Sequence, residues 1–136
     1  MTTPFSENAG RFLNSSETKS MKEAYRDRKL AVGLSTDDYV RSEYFGINQI
    51  KELLNHPDCV GLRVHHAKRW EDTDGNPTEV GVGQLKPRVL LTAVNAKGKN
   101  IGVNSGSAGL KDMNQNAATL GDGLPCPRHC GGDEDN

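Results

Sequence analysis

Val60-Gly61-Leu62-Arg63-Val64-His65-His66-Ala67 is the stretch on which the fold turns. Leu62, Val64 and His66 alternate in it with Arg63, His65 and Ala67. Successive side chains of a strand point to opposite faces, so this period of two predicts a β-strand with one row on each face. Just upstream, Ile47, Ile50, Leu53 and Leu54 fall at helical spacing and Pro57 follows, which predicts a helix over 47–55 with a single apolar stripe. Downstream, a turn-rich connection over 71–83 leads to a second strand over 88–94, centred on Val89, Leu91 and Ala93. Asn95-Ala96-Lys97-Gly98-Lys99 is a turn of hairpin length and predicts a short third strand over 100–103. The fold class expected is α+β: a small antiparallel three-stranded meander packed against one or two helices, with irregular tails at both ends.

Further out, Ser16 or Thr18 is placed to cap a helix running to Leu30, with Glu17 in its first turn, Arg28 and Lys29 in its last, and Gly33 as a stop. Residues 39–45 mix Tyr39, Val40, Tyr44 and Phe45 with Arg41 and Glu43, leaving strand and turn both open. The organisation expected is a flexible arm over 1–15, one α+β domain over 16–103, and a Gly/Asn-rich tail over 104–136 that carries Cys-x3-Cys and at most a helical turn near Leu110 to Met113.

Composition sets the outer bounds. Apolar residues are 34% of the 136, so the core is small. Seventeen Lys and Arg stand against 18 Asp and Glu, a net charge of −1 that provides no field to gather a polyanion or an anionic membrane and leaves self-association weakly opposed. Nucleic acid and membrane are therefore not expected as partners. No apolar run approaches the length of a bilayer span, Val89-Leu90-Leu91 being typical, and the first 14 residues hold no secretory apolar region. A cytoplasmic chain is expected, a non-classical export route being compatible as well. Three cysteines, Cys59, Cys126 and Cys130, are too few for a disulfide scaffold and agree with a reducing compartment.

The order Tyr44-Phe45-Gly46, Ile50-Lys51-Glu52-Leu53-Leu54-Asn55, Cys59-Val60-Gly61-Leu62-Arg63-Val64, the apolar Val89 to Gly98 hairpin and the terminal Pro125-Cys126-Pro127-Arg128-His129-Cys130-Gly131-Gly132 resembles a widespread group of small uncharacterised proteins from Bacteroidota. The resemblance spans roughly residues 20–132. His65 and His66 stand where members often carry an aromatic residue, and the segment from Trp70 to Gly83 is longer here. What it implies is the fold; it implies no activity and no catalytic residue.

Few residues suggest chemistry. Cys126, His129 and Cys130 are the candidate metal ligands, but zinc needs four and no second pair lies near in sequence, so an inert tail is the expectation and a local disulfide or redox switch the alternative. Arg63 and His65 share a strand face and are the candidate anion-binding pair, against the plainer reading of a solvated outer face. Asp72-Thr73-Asp74-Gly75-Asn76 lacks the closing glutamate of a calcium loop and reads as a turn. Gly106-Ser107-Ala108-Gly109 reads as a linker, and no catalytic motif occurs. No catalytic residue and no cofactor are expected. The function expected is a non-catalytic structural or interaction protein, a self-associating homo-oligomer or filament subunit with Phe5, Phe12 and Leu13 of the arm as its contacts. The alternatives are a small metal- or thiol-dependent enzyme or switch, and an adaptor that binds another protein.

Overall fold

The computed structural model describes residues 4–35, 38–101, 119–127 and 129–131. The helical turn expected near Leu110 to Met113, the Gly106 to Gly109 linker and the end of the expected third strand at Val103 lie outside these residues. The chain divides into two compact units, Met1–Ala9 with Phe45–Gly123 and Gly10–Tyr44 with Leu124–Asn136. Each unit takes one piece of the expected N-terminal arm, and residues of the expected tail contribute a strand to each.

In order along the chain, the elements are α1 (Ser15–Ala31), β1 (Ser42–Tyr44), α2 (Ile47–Leu54), β2 (Cys59–Glu71), β3 (Gln84–Asn95), β4 (Thr119–Leu120) and β5 (Leu124–Cys126). The first unit is built on the antiparallel sheet β2-β3-β4, as the α+β reading requires. Its spine is the β2–β3 ribbon, in register from Gly61↔Val94 to Glu71↔Gln84, with an irregularity between Cys59 and Gly61. Both strands outrun their sequence expectations because Lys68-Arg69-Trp70-Glu71 and Gln84-Leu85-Lys86-Pro87 continue the pairing through charged and proline positions that carry weak strand signals.

The expected third strand is filled in two pieces along the edge of β3 opposite β2. Asn100 bridges Val94 and the Ile101 N–H donates to the Ala93 carbonyl, after which Thr119 and Leu120 of β4 pair with Thr92 and Leu91. Leu91, Ala93, Val94 and Ile101 are buried and form the core, each large side chain contributing about 1.5–3 kcal/mol through burial. Ile50, Leu53 and Leu54 give α2 its half-buried stripe, and the helix lies against β2, β3 and β4.

The second unit starts at a capping box. The Asn14 side chain accepts from the Glu17 N–H at 2.8 Å while the Glu17 carboxylate accepts from the Asn14 N–H at 3.3 Å. Asn14, rather than Ser16 or Thr18, is the cap because only Asn14 has a glutamate three residues on. The guanidinium of Arg11 first, and then the Asn14 N–H, hold the Glu17 carboxyl below its usual range. No residue of α1 is buried. Its contact with the rest of the unit includes Tyr25, whose ring meets Tyr39 edge to face at 5.8 Å and whose hydroxyl donates to the Val40 carbonyl at 3.0 Å. β1 pairs antiparallel with β5, Ser42 facing Cys126 and Tyr44 facing Leu124, which resolves the open reading of residues 39–45 in favour of a strand. Among the described residues no helix is long and apolar enough to cross a membrane.

Candidate functional site

The two faces of β2 are covered the opposite way round from the expectation of a solvated Arg63–His65 row. Arg63, His65, Ala67 and Arg69 are half-buried, whereas Leu62, Val64, His66 and Lys68 are exposed. The reason lies in what the polar row meets. Arg63 donates to the Asn100 side chain at 2.7 Å and to the Gly98 carbonyl at 2.9 Å, and its guanidinium lies 5.8 Å from the centre of the Phe5 ring. His65 Nε2 and Thr92 Oγ1 are 2.9 Å apart. Further along, Arg69 donates to Glu71 at 2.9 Å and to Asp122 at 2.6 Å, and Arg88 pairs with the other Glu71 oxygen. Polar groups satisfied by one another tolerate cover, so this face is a hydrogen-bonded layer, and Arg63 and His65 are engaged within it as structural groups.

On the other face the β2 row is apolar and exposed, whereas the β3 residues opposite Leu62 and Val64, Ala93 and Leu91, belong to the buried core. Leu62 is 43%, Val64 52% and Leu85 45% exposed. By register Leu62 lies across from Ala93, Val64 from Leu91, Lys68 from Pro87 and Trp70 from Leu85, so all of them share one face. Pro87 is exposed there, and Trp70 and Val89 are half-buried. His66 and Lys68 are the polar interruptions of this row on β2. Among the described residues β2 is also an edge strand, with its outer edge covered only at the end, where Pro77 bridges Glu71 and the Thr78 N–H donates to the Trp70 carbonyl. The alternation of residues 60–67 was readable in the sequence, but which of the two rows would be covered was not.

The arm residues part company. Phe5 sits on Gly98, close enough that a Cβ there would collide with the ring, and Gly98 has φ +82°. Phe5 thus has a contact within its own chain while staying 39% exposed. Phe12 is fully exposed and Leu13 is 39% exposed. Phe5 belongs to the first unit, Phe12 and Leu13 to the second.

In the second unit Cys126 and Cys130 are joined as a disulfide, the local link that the sequence offered as an alternative. With their sulfurs bonded to each other they are not arranged as ligands beside the exposed His129. Among the described residues no three His, Cys, Asp or Glu side chains group as a metal ion would need. Cys59 is the free cysteine. An Arg41 guanidinium nitrogen lies 3.4 Å from Cys126 Sγ and 3.3 Å from Cys130 Sγ. Sequence reasoning missed Arg41 because it stands 85 residues from Cys126 and is brought there only by the pairing of two short strands.

The Asp72 to Asn76 segment is a turn held by its first residue. Asp72 accepts from the Asp74 N–H at 2.8 Å and the Asn76 N–H at 3.0 Å. The Asn76 N–H is the main cause that holds the Asp72 carboxyl below its usual range. No protein-family model, no curated protein and no solved structure matches the chain.

Proposed function

We propose that the protein is a non-catalytic interaction subunit that associates with copies of itself through the exposed apolar row of β2 and the edge of that strand, which is largely unpaired among the described residues. The observation that carries this reading is the inverted cover of β2, with Leu62 and Val64 exposed while their polar neighbours are covered. Leaving such a row in water forgoes roughly 1.5–3 kcal/mol per side chain on full burial. A long strand with an open edge and an apolar face is also a template for pairing that monomeric proteins ordinarily blunt with charge or proline. Here Lys68 is a charge on the exposed row of β2. The net charge of −1 adds little repulsion between copies. Phe12 and Leu13 supply further apolar surface on the second unit.

Light scattering coupled to size exclusion, from low to high micromolar chain concentration, tests the reading. The mass should rise above that of one chain, 14.8 kDa, with concentration. A mass fixed at one chain throughout would contradict self-association and leave the face for a different protein, the adaptor alternative.

A further inference from the structure

We propose that Cys126–Cys130 is a reversible thiol-exchange site, opened by a small thiol such as glutathione, in which Arg41 holds the leaving thiolate and opening releases the end of β5. The inference is independent of self-association. It stands on the placement of three groups. Cys126 is fully buried and Cys130 half-buried, so Cys130 Sγ is the sulfur an incoming thiol reaches. Arg41 lies against both sulfurs, at 3.4 and 3.3 Å, and a guanidinium beside a sulfur favours its anionic form. The same residue ties the site to the sheet through its backbone, its N–H donating to the Cys126 carbonyl at 2.8 Å at the start of the β1–β5 pairing.

The size of the ring bears on its use. Only four positions separate the two cysteines. A link that short removes little freedom from the unfolded chain, so it does less for global stability than for the local path of residues 126–131. That path includes the His129 N–H donating to the Pro125 carbonyl at 2.8 Å.

The exchange balances as follows. The thiolate of one small thiol attacks Cys130 Sγ, a new S–S bond forms there, and the Cys126–Cys130 bond breaks with its electron pair going to Cys126 Sγ beside Arg41. A second small thiol attacks the sulfur of the first, forming the small-molecule disulfide and releasing Cys130 as a thiolate. The protons of the two small thiols end on the two protein sulfurs or in water, and two electrons pass from the small thiols to the protein.

The test uses the full chain carrying Cys59→Ser, so that the pair holds the only thiols, in glutathione redox buffers at pH 7 with mass readout. Wild-type Arg41 should allow complete, reversible reduction. Arg41→Gln should slow it by about threefold or more, because the leaving sulfur loses its cation, and Arg41→Lys should recover part of the rate. Amide exchange at Arg41 and His129 should accelerate on reduction. If Arg41→Gln fails to fold, the reduced wild-type chain decides: Cys126 and Cys130 should be alkylated by iodoacetamide at a lower pH than Cys59. Free thiols at both Cys126 and Cys130 after air oxidation, equal reduction rates with Gln and Arg at 41, unchanged amide exchange on reduction, or, in the wild-type chain, alkylation in step with Cys59 would each overturn the proposal.

Discussion

Arg88 and Glu71 form a buried ion pair between β2 and β3, Arg88 being 7% and Glu71 1% exposed. Two charges taken out of water are held only while each has the other, and Arg69 supplies the second Glu71 oxygen with a donor at 2.9 Å. Glu71→Ala leaves the buried Arg88 guanidinium without its carboxylate and Arg69 with Asp122 alone. It should destabilise the fold by about 3–5 kcal/mol, read from the urea midpoint. A loss below about 1 kcal/mol, the range of an exposed pair, would show that the pair is solvated in solution.

The capping box at α1 gives a second test. Asn14→Ala removes the acceptor for the Glu17 N–H and should cost about 0.5–2 kcal/mol of helix stability. Because no residue of α1 is buried, little tertiary packing holds the helix against that loss. The measurement is the far-ultraviolet helical signal on warming, which should fall earlier in the variant. Ser16→Ala, at the position the sequence favoured, should leave it unchanged.

That misplaced cap shows where the sequence stops being legible. The period-two pattern of residues 60–67 and the stripe Ile47, Ile50, Leu53, Leu54 are strong local signals, and β2, β3 and α2 formed where they pointed. The three residues of β1 and the three of β5 carry no period at all, and their pairing joins positions 42 and 126, so no local pattern announces it. The Arg41 neighbour of the disulfide follows from that pairing and was hidden with it, whereas the disulfide itself, between cysteines close in sequence, was open to the sequence as an alternative. The covered face of β2 was missed for a different reason: alternation separates two rows but does not say which one is satisfied from above. Arg63, His65, Arg69 and Glu71 find partners in Phe5, Gly98, Thr92, Arg88 and Asp122, contacts that a hydropathy reading prices as solvent.

The seat of Phe5 on Gly98 predicts coupling between them. Gly98→Ala strains a left-handed backbone position, φ +82°, and drives a methyl group into the ring, so it should destabilise the first unit. In a Phe5→Ala background the steric part disappears. A double-mutant cycle by urea unfolding should therefore give a coupling of about 0.5–3 kcal/mol, and strict additivity would contradict the contact.

Asp72 gives a pH dependence whose sign is fixed. Its folded-state carboxyl is held below the ordinary 3.8, chiefly by the Asn76 N–H, so its contribution is fully present above the unfolded value and is lost as pH falls through the lower folded value. Amide exchange at Asp74 and Asn76, corrected for its intrinsic pH dependence, should lose protection only below pH 3.8, and Asp72→Ala should abolish that step. Loss of protection at neutral pH would contradict the turn.

If the exposed row of β2 is the contact between copies, sedimentation velocity of Leu62→Lys/Val64→Lys beside the wild-type chain will read its loss. Both positions point away from the hydrogen-bonded layer, so the double variant should keep the wild-type circular dichroism spectrum. Like charges placed opposite one another across such a contact oppose it, as they do across a strand pair. The wild-type sedimentation coefficient should rise with concentration, and the variant should stay at one chain. A folded variant that associates as strongly as the wild type would contradict that contact.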